Sequence, residues 1–237
     1  MERLDKIIAS QGIYSRNEIK KMAASGRITV NGQMIMKPDI KVDADTAVIV
    51  VNGKTLNFRK HMVLMLNKPK GYTSTVEGNR HDMIMELIPP HLLREELMPA
   101  GRLERDASGL MIITDDGELA HNILSPRKLV RKIYEITLDI PVTETMSEKF
   151  AAGIQISSEE HKTAKLEITG EYTCRVSTWD GRYFQIKKMF EHCGAEVTEL
   201  HRICIGNLFL PNNIEFGECR ELTKEEVKAL QENNFQY

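Results

Sequence analysis

The apolar residues of this 237-residue chain are divided into short runs, and this limits what the chain can fold into. The longest runs, residues 47–51 and 62–66, have the length of strands. None approaches the roughly 18 apolar residues that a membrane-spanning helix needs. Strand-length runs alternate along the chain with segments of helical periodicity. We therefore expect an α+β protein with a mixed or antiparallel sheet, flanking helices and no membrane partner.

Residues 1–54 have the pattern of a small unit in which two helices precede strands. Ser15 and Glu18 have the spacing of a capping box at the start of the second helix, and Gly26 is a typical residue to end it. The Asn-Gly pair at residues 31–32 indicates a hairpin between two short strands. These signals predict a separate αα-β domain.

The remainder of the chain is predicted to form a second domain, residues 62–237, after a short polar linker, residues 55–61. Hydrophobic periodicity predicts its strands at residues 63–66, 110–114, 133–139, 165–169, 172–178 and 197–205. The same criterion predicts its helices at residues 83–87, 118–124, 144–151, 186–192 and 224–231.

Charge is unevenly distributed between these two parts. Residues 1–60 hold 11 Lys+Arg against 6 Asp+Glu, a net charge of +5, whereas residues 61–237 hold 21 against 28, a net of −7. A basic head on an acidic body favours a polyanion as partner of the head, and ordinary charge scatter is the alternative. The candidate RNA-binding side chains of the head are Arg3, Lys6, Arg16, Lys20, Lys21 and Arg27.

Sequence motifs for several kinds of chemistry are absent. The four cysteines form no CxxC pair, and the seven histidines form no HxH or HExxH pair. The glycine-rich motifs that bind nucleotides do not occur. We therefore expect neither a metal nor a cofactor. The N-terminus lacks the pattern of a secretory signal, which predicts a cytoplasmic protein with reduced thiols.

Three segments contain candidate chemistry. Lys68 and Lys70 lie at a Pro-Gly turn after a predicted strand, where they would either contact phosphates or simply be exposed. Residues 102–106 combine four charged side chains in a loop that leads into an apolar strand, a common place for catalytic groups. Lys187 lies in a predicted helix, as a solvated lysine or as an ion-pair partner in a cleft.

Together these segments resemble the RsuA-like pseudouridine synthases. The shared motifs, in family order, are LNKPKGY at 66–72, GRL-x-x-D-x-x-GL-x-x-x-TDDG at 101–117, K-x-Y-x-(V/I)-T at 132–137, GRY-x-Q-(V/I)-K at 181–187 and LHR-x-x-IG at 200–206. The head, from RLDK at residue 3 to RITVNG at 27–32, resembles the alpha-L RNA-binding domain. The resemblance therefore covers nearly the whole chain.

The resemblance implies a pseudouridine synthase core with a cleft across its sheet. It also implies that the chain isomerises a uridine of ribosomal RNA without a cofactor. The GRY form of the fourth motif resembles the small-subunit branch of the family, so the expected partner is 16S ribosomal RNA in an assembly intermediate, bound by a monomer. A large-subunit RNA is the alternative.

Family roles transfer to matching positions of this sequence. The resemblance implies that the catalytic carboxylate is Glu104, that Tyr134 stacks on the uracil and that Lys187 pairs with the carboxylate. Arg102 would fill the space of the flipped base. The residues implied to line the pocket are Ile205 and Leu208.

Position 104 departs from the family pattern, which is GRLD where this chain has GRLE. Glutamate keeps the charge but moves the carboxylate by about 1.5 Å, the length of one C–C bond. A displacement of about 1 Å can reduce a rate about 100-fold. The sequence therefore allows a slow or adapted enzyme, a catalytically silent RNA-binding protein, or an altered sequence.

Overall fold

The computed structural model describes residues 1–75, 83–94, 96–157, 160–179 and 185–232, so residues 181–184 of the GRY motif lie outside the described part. The chain divides into two compact units. The N-terminal unit comprises Met1–Met62 and Pro89–Leu97, and the core unit comprises Val63–Ile88 and Met98–Tyr237. The sequence predicted two consecutive domains. It did not predict that residues 89–97 would join the N-terminal unit.

The N-terminal unit contains the predicted helix pair and hairpin. Its elements are β1 (Glu2–Arg3), α1 (Leu4–Ala9), α2 (Arg16–Ala24), β2 (Ile28–Val30), β3 (Gln33–Met34), β4 (Lys41–Val42), β5 (Ile49–Val51) and β6 (Lys54–Thr55), with a 3-10 turn at Pro90–Leu92. The side chains of Ser15 and Glu18 each accept a hydrogen bond from the other residue's backbone, which is the predicted capping box. Asn31 and Gly32 have φ of 49° and 80°, as a two-residue hairpin turn requires.

Residues 55–61 pack into this unit rather than extending freely from it. Leu56 and Phe58 contact its hydrophobic core. The Gln11 amide donates to the Arg59 carbonyl oxygen (3.2 Å) and accepts from the Arg59 N–H (3.1 Å). Buried Arg94 donates to that carbonyl oxygen and to Gln11 Oε1, both at 3.2 Å. These bonds explain why residues 89–97 belong to the N-terminal unit.

The core unit is built on one mixed sheet. Its strands are β7 (Val63–Lys68), β8 (Met98–Pro99), β9 (Ser108–Thr114), β10 (Lys132–Leu138), β11 (Ile154–Ser157), β12 (Glu160–Lys162), β13 (Lys165–Ile168), β14 (Thr173–Thr178), β15 (Val197–Ile205), β16 (Leu208–Phe209) and β17 (Cys219–Glu221). Its helices are α3 (Gly117–Leu124), α4 (Glu144–Ala152), α5 (Gln185–His192) and α6 (Lys224–Gln231), with 3-10 turns at Ile84–Leu87 and Pro126–Lys128. No helix in the described ranges is long and apolar enough to span a membrane.

The order of the strands places β9 near the middle of the sheet. The order is β13-β14-β10-β15-β9-β7-β17, with β16 paired to β15, β8 paired to β9, and β11 and β12 forming a separate hairpin. Only β9 and β15 run parallel among the described pairs of this sheet, so the sheet is mixed, as predicted. Every residue of β9 is buried, and the strand has paired strands on both of its edges.

A glycine allows β9 to begin close to β15. Gly109 has φ of 106°, and a Cβ atom at this position would lie 2.3 Å from the carbonyl oxygen of Arg202. No other residue fits there without moving the backbone. The loop that precedes β9 is therefore held at a fixed position at the edge of the strand.

Candidate active site

An ammonium group shared by two carboxylates lies at the start of α5. The side chain of Lys187 forms ion pairs with Glu104 Oε2 and with Asp106 Oδ2, the second at 2.7 Å. The Lys187 and Glu104 side chains are 23% and 25% exposed, whereas Asp106 is 68% exposed. The predicted pair of Lys187 and Glu104 is confirmed. The sequence did not predict Asp106 as a second partner.

The charges of this cluster stabilise one another. Burial is the largest influence on Lys187 and by itself lowers its pKa, but the bonds to Asp106 and Glu104 outweigh burial and raise the net pKa. The pKa of Asp106 is lowered, first by the hydrogen bond that Lys187 donates and against a smaller effect of burial. Lys187 is therefore charged and Asp106 ionised at neutral pH.

Both carboxylates belong to residues 102–107, which we call the carboxylate loop. A buried lysine forms hydrogen bonds to the backbone of this loop. Lys68, at the end of β7, has 0% exposure. Its Nζ donates to the carbonyl oxygens of Glu104 (2.9 Å), Ala107 (2.6 Å) and Pro69 (3.2 Å). This corrects the prediction that Lys68 contacts RNA phosphates, because its ammonium faces inward and its donors are used by the loop.

The environment of Lys68 disfavours its charge. Burial lowers its pKa to about 8, the charge of Asp106 opposes this shift, and Arg202 adds to it. Arg202 is also buried, and its guanidinium donates to the carbonyl oxygens of Leu110 (2.7 Å) and Arg102 (3.4 Å). Two buried cations, Lys68 and Arg202, thus donate hydrogen bonds to the backbone of the carboxylate loop and of the adjoining strand β9.

The segment after Lys68 provides a second brace. The Gly71 N–H donates to the Arg105 carbonyl oxygen (2.7 Å), and Arg105 Nε donates back to the Gly71 carbonyl oxygen (2.8 Å). The Ser74 hydroxyl donates to the Leu103 carbonyl oxygen (2.9 Å) and accepts from the Leu103 N–H (3.0 Å). The LNKPKGYTST segment therefore fixes the conformation of the carboxylate loop.

One row of residues across the sheet connects these braces with the predicted tyrosine. The register pairs Lys68 with Gly109, Gly109 with Arg202, and Arg202 with Tyr134. Side chains of directly paired residues point to the same face of a sheet. Tyr134 therefore lies on the face whose cations hold the carboxylate loop. It is 3% exposed, which suits both a core aromatic and the floor of a pocket, so its catalytic role stays a prediction.

The other predicted site residues lie in different surroundings. Arg102 is exposed on the carboxylate loop, and Lys70 forms an ion pair with Glu199. Ile205 and Leu208 are part of the hydrophobic core cluster and are 1% and 4% exposed. Their roles toward RNA and the flipped base stay predictions.

The predicted RNA-binding side chains of the N-terminal unit are all exposed. They are Arg3, Lys6, Arg16, Lys20, Lys21 and Arg27. Two of them have acidic partners, since Arg3 bonds to Asp5 (2.8 Å) and Lys6 to Glu2 (2.7 Å). The exposed positions leave this set available for a ligand.

A cavity of about 930 Å³ lies on the opposite face of the sheet. Asn67, Glu135 and His201 line it, and each is the neighbour in sequence of a residue in the row described above. No predicted site residue lines it. In the described ranges, no group of three His, Cys, Asp or Glu side chains could hold a metal ion.

Sequence reasoning missed Asp106 as a partner, and it missed Arg202 and Ser74 as braces. The available signal for Arg202 is an arginine directly before the apolar run of residues 203–205 in β15, which indicates a buried and bonded side chain. Asp106 and Ser74 gave no comparable signal, because their bonds depend on how two distant loops meet.

Comparisons with known proteins agree with this architecture. The family model for RNA pseudouridylate synthase matches residues 62–192, and the S4 domain model matches residues 2–48. An uncharacterized RNA pseudouridine synthase of Bacillus subtilis is 36% identical, over 97% of this chain and 98% of its own length. The ribosomal small subunit pseudouridine synthase A of Salmonella typhimurium is 36% identical, over 96% of this chain and 99% of its own. A crystal structure of a pseudouridylate synthase matches with a TM-score of 0.67 and 33% identity, over 97% of this chain and 100% of that chain.

A mixed-sheet core that matches the RNA pseudouridylate synthase model, preceded by an S4 domain, identifies an RNA-modifying enzyme. The chain belongs to the RNA pseudouridylate synthase family, with an S4 domain at its N-terminus. The predicted family, α+β fold class and isomerase activity are thereby confirmed.

Proposed function

We propose that this chain converts a uridine of small-subunit ribosomal RNA to pseudouridine and that Glu104 is its catalytic carboxylate. The small-subunit assignment is supported by 36% identity to a relative named ribosomal small subunit pseudouridine synthase A. The observation that carries the catalytic role is the half-buried ion pair of Glu104 with Lys187 on a braced loop.

The reaction needs a positioned carboxylate and no outside oxidant or reductant. The bond between C1′ of the ribose and N1 of uracil breaks, the base rotates, and C5 bonds to C1′ while its proton is lost and N1 gains one. The target uridine must first leave its stack to reach the cleft. Glu104 acts as nucleophile or as base at the sugar, and Lys187 forms an ion pair with it before that step. Tyr134 stacks on the rotating base and assists removal of the C5 proton.

The longer side chain at position 104 is compatible with this role because its carboxylate still reaches Lys187. Lys187 contacts the carboxylate despite the additional methylene group. Lys68 fixes the Glu104 backbone, so the extra length moves the carboxylate and not the loop. We infer a competent but slow enzyme.

The N-terminal unit supplies affinity for the RNA. Its exposed basic side chains face solvent, and the net charge of +5 on residues 1–60 attracts phosphates. The proposed substrate is a small-subunit assembly intermediate in the cytoplasm, on which the chain acts as a monomer.

Release of tritium from RNA labelled at C5 of uridine tests the proposal. We expect release from small-subunit RNA, free or partly assembled with ribosomal proteins, and no release from large-subunit RNA. Glu104→Gln, which keeps the shape and removes the charge, should abolish it. Release from large-subunit RNA alone would favour the alternative substrate. Binding of small-subunit RNA without release from any RNA would indicate a catalytically silent RNA-binding protein.

A further inference from the structure

The ammonium of Lys187 has more acidic partners than one catalytic carboxylate requires. It contacts Glu104, which is 25% exposed, and Asp106, which is 68% exposed. The Asp106 backbone is not free to move away. Its neighbour Arg105 bonds to Gly71 in both directions, and the carbonyl oxygen of Ala107 accepts from buried Lys68. Asp106 therefore presents its carboxylate to Lys187 from a fixed loop.

A shared ammonium changes the free energy that Glu104 needs to reach the substrate. If Glu104 were the sole partner of this half-buried lysine, its departure would leave a partly desolvated ammonium without a compensating charge. Asp106 contacts the same ammonium at 2.7 Å, so a second carboxylate is in place to neutralise it when Glu104 moves. The cost of that movement is therefore smaller. Because Lys68 fixes the loop backbone, an aspartate at position 104 would place its carboxylate up to about 1.5 Å farther from Lys187, so we expect its release from Lys187 to depend less on Asp106.

We propose that Asp106 is a positioning residue that holds Lys187 in the cleft while Glu104 leaves the ion pair to act on the ribose. The inference rests on the proposed function of Glu104. The lowered pKa of Asp106 agrees with it, since this carboxylate stays ionised through the reaction. The competing view is that Asp106 is an ordinary exposed ion pair, and such pairs contribute little.

Steady-state kinetics on small-subunit RNA separate the two views. Asp106→Asn keeps the shape and removes the charge, and we expect kcat to fall about tenfold with KM changed less than about twofold, because the lost effect occurs after binding. Asp106→Glu should restore most of kcat. Glu148→Gln removes an exposed carboxylate of α4 and serves as the matched control, with no effect on either constant. In a Glu104→Asp background the loss from Asp106→Asn should shrink to less than about threefold.

A second measurement needs no activity. The Lys187 side-chain signal, titrated by NMR in the RNA-free protein, should show a lower pKa in Asp106→Asn and an unchanged pKa in Glu148→Gln. An unchanged kcat or an unchanged Lys187 pKa in Asp106→Asn overturns the proposal. A wild-type chain that modifies no RNA contradicts the proposed function instead, and the Lys187 titration still decides whether Asp106 holds the ammonium.

Discussion

Basic side chains serve different purposes on the surface of the N-terminal unit and beneath the carboxylate loop of the core unit. The candidate RNA-binding side chains of the N-terminal unit are exposed, whereas Arg94 of the same unit is buried and bonds to Gln11 and to the Arg59 carbonyl oxygen. In the core unit Lys68 and Arg202 are fully buried, and their donors bond to backbone carbonyl oxygens under the carboxylate loop. A lysine in an RNA-modifying enzyme is therefore not by itself a contact to RNA. Its burial and the type of its hydrogen-bond acceptor show whether the lysine is available to RNA or stabilises a loop of the protein.

The largest expected effect comes from removing a brace. Lys68→Met should lower the rate of pseudouridine formation at least about 100-fold, or ~2.7 kcal/mol of barrier, because the carbonyl oxygens of Glu104 and Ala107 lose their common donor and the carboxylate moves. RNA affinity should not change. Tritium release at saturating RNA, filter binding and thermal melting together measure rate, affinity and fold.

Lys70→Met is the matched control for that variant. Lys70 lies two residues away in the same motif but is 42% exposed in an ion pair with Glu199. We expect its rate to stay within about threefold of wild type. If Lys68→Met weakened RNA binding and left the rate intact, Lys68 would be an RNA-binding residue and not a support of the carboxylate loop.

These two lysines also show how far the sequence alone could go. The sequence predicted a strand at residues 63–66, whereas β7 ends at Lys68. Strand ends are the least certain part of such predictions, and here two residues decide whether a lysine lies in the sheet or in a loop. The alternation of side chains then places Lys68 on the same face of the sheet as Leu64 and Leu66, and every residue of β7 is buried.

Local signals predicted more than long-range ones. The capping box at Ser15 and the Asn-Gly hairpin at residues 31–32 depend on neighbours in sequence, and both predictions are confirmed. The bond between Ser74 and Leu103 joins residues 29 positions apart, and the return of residues 89–97 to the N-terminal unit depends on Arg94. The pair of Lys187 and Glu104 was predictable only because the family resemblance connects two distant motifs.

The second prediction concerns the catalytic carboxylate that the braces hold, Glu104. Glu104→Asp should raise pseudouridine formation at least about tenfold, or ~1.4 kcal/mol of barrier, by restoring the family geometry on an unchanged loop. RNA affinity should be unaffected because the charge is the same. Single-turnover rates with equal RNA saturation measure this. A lower rate in the aspartate variant would show that the cleft has adapted to glutamate.

The third prediction concerns the binding side of the comparison. Replacing Arg16 and Lys20 with alanine should weaken RNA binding and reduce the slope of log K against log salt concentration by about 2, one for each lost phosphate contact. Both side chains are exposed on α2, so the melting temperature should not change. The rate at saturating RNA should also persist. An unchanged salt slope would show that Arg16 and Lys20 of the N-terminal unit do not contact phosphates.

The smallest expected effect tests the exposed half of the lysine cluster as a stabilising interaction. The folded-state pKa of Asp106 lies below its usual 3.8, chiefly because of the hydrogen bond from Lys187. A depressed carboxylate pKa contributes stability that is fully present above the unfolded value and is lost as pH falls through the folded one. Because Asp106 is 68% exposed, solvent screens the pair, and we expect a contribution of at most about 0.5 kcal/mol. Urea unfolding of wild type and Asp106→Asn at pH 7 and at pH 3 should therefore show a small excess loss in wild type on acidification. A loss of several kcal/mol would mean that Asp106 holds the fold as well as the ammonium, and the distinction between buried braces and the exposed partner would fail.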